Sequence, residues 1–127
     1  MSDLERNKKL VVEYYEHAFN DHKPQEAVEQ YVGSQYIQHN PQAPDGAGAF
    51  VEFVTSFVGQ FPKLSIDIKR VVAEGDIVVT HGLIKTSPDD PGTVAVDFFR
   101  LEDGKIVEHW DVLQPFPETS ANDHAMF

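Results

Sequence analysis

The chain has 127 residues, no cysteine and a formal charge of −11 at pH 7. This length suits one domain, and the lack of cysteine excludes disulfides, thiolate nucleophiles and cysteine-based metal sites. The charge argues against nucleic acid or an anionic membrane as a partner, because both would repel the chain. With no signal-peptide pattern and no segment near the ~20 apolar residues of a membrane span, we expect a cytoplasmic protein.

The N-terminal third has the periodicity of two helices. Ser2 and Glu5 form a capping-box pattern at the start of the first helix. Pro24 suits the first turn of the second helix, and Gly33 ends it. The residues expected to face inward recur at helical spacing: Leu10, Val11, Tyr14, Tyr15, Ala18, Ala27, Val28, Tyr31 and Val32.

A short extended segment, residues 36–40, follows and ends at Pro41, which disfavours helix at Asn40. Asp45 can cap a third helix, and Pro62 stops it. The apolar stripe of this helix comprises Phe50, Val54, Phe57, Val58 and Phe61.

From Leu64 onward the pattern changes to alternating strands, with a turn at residues 74–76, a loop at residues 87–92 and a final hairpin over residues 94–114. Residues 118–127 are expected to form a loose tail. Helices followed by an antiparallel run predict one α+β domain over residues 1–127, with the helices on one face of a curved sheet. A concave pocket between these layers is the default ligand site.

The final hairpin contains three polar residues, Asp97, His109 and Asp111, among apolar strand positions, where polar groups are costly unless paired. Two registers are open. With Asp103 and Gly104 as a two-residue loop, Asp97 would face Trp110 on the opposite side of the sheet from His109 and Asp111. With a three-residue loop from Glu102 to Gly104, Asp97 would face His109.

We prefer the three-residue loop, which places Asp97, Phe99, Val107, His109 and Asp111 on one face. Trp110 would then lie on the outer face with Val96, Phe98 and Ile106, an apolar surface suited to a symmetric dimer. His39 and His81 are further candidates for the cavity lining, and Gly82 leaves room beside His81 for a close approach by backbone or ligand.

The order of elements, the segment YIQHNP at residues 36–41 and the closing VDFFRLEDGKIVEHWDVLQ together resemble the SnoaL-like polyketide cyclases. These belong to the nuclear transport factor 2-like superfamily of cone-shaped α+β domains, which also includes ketosteroid isomerase and limonene epoxide hydrolase. The resemblance covers the chain except its tail. It implies a small ligand inside the cone, no metal or organic cofactor, and a homodimer through the sheet.

The resemblance also implies that Asp111 is the catalytic base of an aldol-type ring closure. Asp97 stands where some of the cyclases have a histidine, so this position departs from the family pattern. We expect His109 and Asp97 to share or donate protons beside Asp111, and His39, His81, Asn40 and Phe99 to contact the substrate.

Three functions fit this arrangement. The first is a cofactor-independent acid–base enzyme that cyclises or isomerises a small apolar carbonyl compound. The second is a non-catalytic module for ligand binding or dimerisation on the same cone. The third is an epoxide or ester hydrolase in which Asp111 activates water. A metal site formed by His39, His81, His109 and an aspartate is a weaker alternative, because no motif with fixed ligand spacing supports it.

Overall fold

A computed structural model describes residues 3–127, so the capping box predicted at Ser2 lies outside the described residues. Three helices and five strands follow one another along the chain. They are α1 (Asp3–Phe19), α2 (Pro24–Tyr31), β1 (Val32–Gln38), α3 (Ala47–Gln60), β2 (Ser65–Glu74), β3 (Ile77–Lys85), β4 (Thr93–Glu102) and β5 (Lys105–Pro115).

The helices begin and end close to the predicted residues, with one correction. Pro24 occupies the first turn of α2, where its missing N–H costs nothing. Asp45 does not cap α3, whose N-cap is Gly46 and carries no side-chain cap. The Asp45 carboxylate instead accepts a hydrogen bond from the backbone N–H of Gln38 over 2.8 Å. Asp45 therefore ties the loop before α3 to the end of β1.

The five strands form one sheet in the order β1-β5-β4-β3-β2. The pairs among β2, β3, β4 and β5 are antiparallel, as the alternating pattern predicted. The short extended segment is the end of a fifth strand, β1, which pairs in parallel with β5. The sheet is therefore mixed rather than wholly antiparallel, and β1 brings residues 36–38 beside His109.

The core lies between the helices and the inner face of the sheet, and aromatic side chains fill much of it. Tyr14 is fully buried, with its ring centroid 5.2 Å from that of Phe50 and 6.3 Å from that of Phe99. Tyr15 packs edge-on against Phe99 at 5.0 Å. Such edge-to-face pairs add about 0.5–1.5 kcal/mol beyond the area they bury.

The loop predicted for the final hairpin is wrong, because it has two residues rather than three. Asp103 and Gly104 both have positive φ, 51° and 74°, and Glu102 pairs with Lys105. Positive φ at both loop residues matches a type I′ turn, whose twist suits a hairpin.

A bulge between Arg100 and Leu101 then shifts the register by one residue. Asp97 pairs with Asp111, and Phe99 pairs with His109, so all four lie on the inner face. The bulge places Asp97 on the inner face, where the longer loop was expected to place it, but opposite Asp111 rather than His109. Ile106 rather than Val107 joins the core cluster, so Ile106 does not belong to the outer apolar surface where we expected it.

The C-terminal residues 118–127 contain no helix or strand, as predicted, but their last side chain is packed. The ring of Phe127 lies 6.2 Å from that of Phe116 and 4.6 Å from the Nζ atom of Lys69. The tail therefore returns to the sheet instead of leaving it.

Candidate functional site

A cavity of about 220 Å³ opens between α1, α3 and the inner face of the sheet. One wall is apolar and largely aromatic, and the other carries a cluster of polar side chains. The apolar wall comprises Phe19, Phe50, Phe53, Phe57, Ile84 and Leu113; the polar wall comprises Tyr15, Gln38, Asn40, Asp97, His109 and Asp111. This combination of apolar lining and a few convergent polar groups is typical of small-molecule sites.

Three buried side chains meet at the closed end of the polar wall. The Tyr15 hydroxyl donates to Asp97 Oδ2 over 2.7 Å. His109 Nε2 lies 2.7 Å from the same oxygen and 3.0 Å from the Tyr15 hydroxyl. The side chains of Asp97 and His109 are each only 4% exposed. At this burial a lone carboxylate would be costly, and its two partners offset the lost hydration.

Tyr15 acts as a donor here. Burial, and after it the charge of Asp97, raise the pKa of Tyr15 well above that of a free tyrosine. Burial is also the main reason why the pKa values of Tyr14 and Tyr36, which lie behind Tyr15, are raised. Tyr15 therefore keeps its hydroxyl proton at every ordinary pH.

Asp111 lies nearer the cavity opening and is oriented by Asn40. The Asn40 Nδ2 atom lies 3.0 Å and 3.1 Å from the two carboxylate oxygens, and Asn40 Oδ1 accepts the backbone N–H of Gln42 over 2.8 Å. The side chain of Asp111 remains 13% exposed, and its Oδ2 lies 3.9 Å from His109 Nε2. A carboxylate with one neutral donor and an open side can still accept a proton.

The other ring nitrogen of His109 faces β1. His109 Nδ1 lies 2.6 Å from Gln38 Oε1, which also accepts the backbone N–H of Asn40 over 3.1 Å. The chain from residue 38 to residue 42 thus contacts both His109 and Asp111.

The structure brings Asp97, His109, Asp111 and Asn40 together, but three predicted residues, His39, His81 and Phe99, do not line the cavity. His39 lies on the outer face, where Nε2 contacts Glu108 Oε2 at 2.7 Å and the ring stacks on Trp110 at 4.7 Å. The reason is strand parity, since His39 and Asn40 point to opposite faces. The expectation that His39 lines the cavity is wrong.

His81 also lies outside the cavity, against the guanidinium group of Arg70. Gly82 does permit a close approach, but the approaching group is the backbone of β2. A Cβ atom there would lie 3.1 Å from the carbonyl oxygen of Asp67. Phe99 is fully buried behind His109, with ring centroids 5.2 Å apart, and supports the site without lining the cavity.

Sequence reasoning missed several residues of the site. Tyr15 was predicted only as a core position of α1, although its hydroxyl reaches the polar cluster. Gln38 could have been found from parity, because it lies on the same side of β1 as Tyr36. Three phenylalanines of α3 lie on the cavity wall, Phe50, Phe53 and Phe57. Phe53 was missed because it lies outside the predicted apolar stripe, and it is 49% exposed.

Within residues 3–127, one group could place three ligand atoms around a metal ion: Asp97, His109 and Asp111, whose atoms lie within 4.8 Å of one another. His109 Nε2 and Asp97 Oδ2 already bond to each other, however, and Asn40 contacts both oxygens of Asp111. The alternative set with His39 and His81 is not assembled, because both lie on other surfaces.

Comparison with known proteins identifies the family. The sequence model of the SnoaL-like domain matches residues 11–109, most of the chain. The chain belongs to the SnoaL-like family. No curated protein matches it.

Solved structures agree with this fold. A candidate polyketide cyclase from Acidithiobacillus ferrooxidans is 20% identical, with 89% of this chain and 91% of that chain covered and a TM-score of 0.73. TsrD from Streptomyces laurentii is 21% identical over 89% of this chain and 91% of that chain, with a TM-score of 0.71. A candidate ketosteroid isomerase from Kribbella flavida is 17% identical over 96% and 87%, with a TM-score of 0.73.

These likenesses confirm the predicted fold, an α+β cone of the nuclear transport factor 2-like type. The sheet is curved but not closed. No helix within residues 3–127 is both long and apolar enough to cross a membrane.

Proposed function

We propose that this SnoaL-like protein is a cofactor-independent acid–base enzyme that cyclises or isomerises a small, neutral carbonyl compound. The observation that carries the proposal is the position of Asp111. Its carboxylate opens to an apolar cavity, 3.9 Å from a buried histidine that is itself bonded to a second carboxylate. A base and a proton-holding pair on one wall suit proton removal next to a carbonyl group.

In this mechanism Asp111 removes a proton from the carbon beside the carbonyl, and the electron pair moves to the carbonyl oxygen. The Asp97–His109 pair stabilises the enolate oxygen by donating a hydrogen bond or its proton. In an aldol closure the enolate carbon attacks a second carbonyl of the same molecule. The new alkoxide takes the proton that Asp111 removed, and a proton given to the enolate oxygen returns to the Asp97–His109 pair as the first carbonyl re-forms. In an isomerisation Asp111 returns its proton to another carbon.

The charge of the cavity supports a neutral substrate. Among the described residues no lysine or arginine lines it, whereas three aspartates do. The pKa of one of them, Asp90, is lowered, first by the backbone N–H of Thr86 and then by that of Gly92, so Asp90 is ionised at neutral pH. An anionic substrate would enter a negative cavity on a protein of charge −11. Free acids and phosphate esters are therefore disfavoured.

Exchange of hydrogen for deuterium tests the proposal without the natural substrate. The chain is mixed in D₂O with 1-indanone or cyclohexanone, and loss of the α-proton signal is followed by NMR. We expect catalysed exchange, and Asp111→Asn should slow it by about 10²–10⁴-fold, the usual contribution of a general base.

The matched control is Asp67→Asn, which removes an exposed carboxylate that pairs with Lys69 on β2. It should exchange at the rate of the unchanged chain. Ketone binding, seen as shifted protein signals, with no catalysed exchange would contradict the enzyme and favour a ligand-binding module. The contact of Asn40 with both oxygens of Asp111 is the observation that favours this second function.

The outer face of the sheet supports a homodimer. Val72, Phe98 and Val112 on three strands are 60%, 37% and 65% exposed, and Trp110 pairs with Phe98 on the neighbouring strand. We propose that a second copy of the chain covers this face by two-fold symmetry. Light scattering should give the mass of two chains, and Val112→Lys should shift the distribution toward one chain. A monomeric mass at all concentrations would contradict the dimer.

A further inference from the structure

The orientation of the Gln38 amide follows from a backbone group. The backbone N–H of Asn40 donates to one atom of that amide over 3.1 Å. This atom has to be the oxygen, because an NH₂ group there would place two donors against each other. The same oxygen lies 2.6 Å from His109 Nδ1. Nδ1 therefore has to carry a hydrogen.

Counting protons around Nε2 gives a second constraint. Tyr15 supplies one hydrogen, which goes to Asp97 Oδ2 over 2.7 Å. His109 Nε2 lies equally close to that oxygen, at 2.7 Å. Without a hydrogen between them, two lone pairs would face each other in a buried site. The Asp97–His109 pair therefore holds one shared proton in addition to the Nδ1 hydrogen, and the pair is neutral overall.

We propose that Gln38 is a positioning residue that fixes His109 as the Nδ1–H form and thereby keeps the shared proton of the Asp97–His109 pair at Nε2, beside the cavity. The inference rests on the proposed function, in which this pair is the acid. If the ring carried hydrogen only at Nε2, its lone pair would face β1 instead. Release of that one hydrogen to the enolate would leave an imidazolate anion, whereas a ring that also carries the Nδ1 hydrogen stays neutral when Nε2 releases its proton and can take it back there.

Residues 38–42 also orient the proposed base, Asp111, through a different side chain from the one that contacts His109. Asn40 Oδ1 accepts the backbone N–H of Gln42, so its NH₂ group is turned toward Asp111. The other titratable groups around His109 are Tyr15 at 3.0 Å, Asp111 at 3.9 Å and Tyr36, whose ring is stacked 6.3 Å away. Residues 38–42 thus orient both groups through backbone bonds that do not depend on a ligand.

The test is ¹⁵N NMR of the histidine rings, which distinguishes protonated from unprotonated ring nitrogens and needs no substrate. The full chain is labelled at histidine, and His109 is assigned by its absence from His109→Gln. Gln38→Met keeps the length of the side chain but removes the acceptor, whereas Gln38→Glu keeps an acceptor oxygen. Gln42→Met is the matched control, since Gln42 lines the same cavity and its bond to Asn40 is made by its backbone.

We expect a single His109 form with Nδ1 protonated in the unchanged chain, in Gln42→Met and in Gln38→Glu. In Gln38→Met this form should no longer be the only one, and signals of a ring with hydrogen only at Nε2 should appear beside it. In the ketone assay Gln38→Met should lower kcat with little change in KM.

An unprotonated Nδ1 in the unchanged chain would overturn the proposal, and this result does not require any variant to fold. A spectrum of Gln38→Met identical to that of the unchanged chain would also overturn it. The proposed function fails separately, because an inactive chain can still show the Nδ1–H form, and an active one can lack it.

Discussion

Two histidine–carboxylate pairs lie on opposite faces of the same sheet and have the same separation. His109 Nε2 is 2.7 Å from Asp97 Oδ2 on the inner face, and His39 Nε2 is 2.7 Å from Glu108 Oε2 on the outer face. The inner side chains are both 4% exposed, whereas His39 is 41% and Glu108 15% exposed. Distance alone therefore does not separate a chemical site from a surface ion pair.

The surroundings of the two pairs differ more than their geometry. The inner side chains are almost wholly shielded from solvent, and the pair also bonds to Tyr15 and Gln38. The outer pair keeps contact with solvent, and Glu108 has a second partner in Arg100 at 2.6 Å. Only the inner pair opens to a cavity.

The largest expected difference between the pairs is in stability. Asp97→Ala removes the acceptor for both Tyr15 and His109 and should lower the free energy of unfolding by about 3–5 kcal/mol, as for other broken buried pairs. Glu108→Ala should lower it by about 1 kcal/mol or less, because exposed pairs contribute little. Urea unfolding at pH 7 measures both values.

Asp97→Asn is the control that separates lost hydrogen bonds from lost side-chain volume in the destabilisation by Asp97→Ala. It keeps the shape of the side chain, and its amide can still bond to one of the two partners of Asp97 Oδ2, because an oxygen there accepts from Tyr15 and an NH₂ group there donates to Nε2 when Nδ1 carries the hydrogen. It should therefore cost clearly less than Asp97→Ala. Equal losses for Asp97→Ala and Glu108→Ala would show that burial does not distinguish the two pairs.

The comparison also shows which parts of the site were predictable from sequence. Asp97, His109 and Asp111 stand out because polar residues interrupt apolar strands, and the SnoaL-like resemblance drew attention to Asp111. The choice between the two loops was not predictable, because Asp-Gly suits several loop lengths and no local pattern marks the bulge between Arg100 and Leu101. The wrong loop length and the missed bulge together leave Asp97 on the predicted face of the sheet, but the predicted partner across the strands, His109, is wrong, because Asp97 pairs with Asp111.

His39 shows a different limit. A histidine between apolar and amide residues could face either side of a strand, and the parity of β1 is set by its parallel pairing with β5, which the local pattern does not reveal. Tyr15 shows a third limit, since helical periodicity places its ring in the core but does not show where the hydroxyl points. Helices, strands and their order follow from local pattern. Contacts between residues far apart in the chain follow from the fold, as do those of His109 with Gln38 and Tyr15, which are 71 and 94 residues away.

The smallest expected effect concerns the outer pair under acid conditions. The pKa of Glu108 is lowered, first by the hydrogen bond with His39 and then by the one from Arg100. A lowered pKa in the folded chain means that the unfolded chain binds a proton more readily. The pair therefore stabilises the fold at pH values above the ordinary pKa of glutamate and loses that contribution as the pH falls through the lowered pKa.

Glu108→Gln should therefore be less stable than the unchanged chain at pH 7, by about 1 kcal/mol or less, and the two should converge toward pH 3. Urea unfolding at pH 7, 5, 4 and 3 measures the difference, with Glu118→Gln in the tail as the control for loss of one charge. A difference that stays constant down to pH 3 would show that Glu108 acts through packing, and the outer pair would then resemble the inner one more than its exposure indicates.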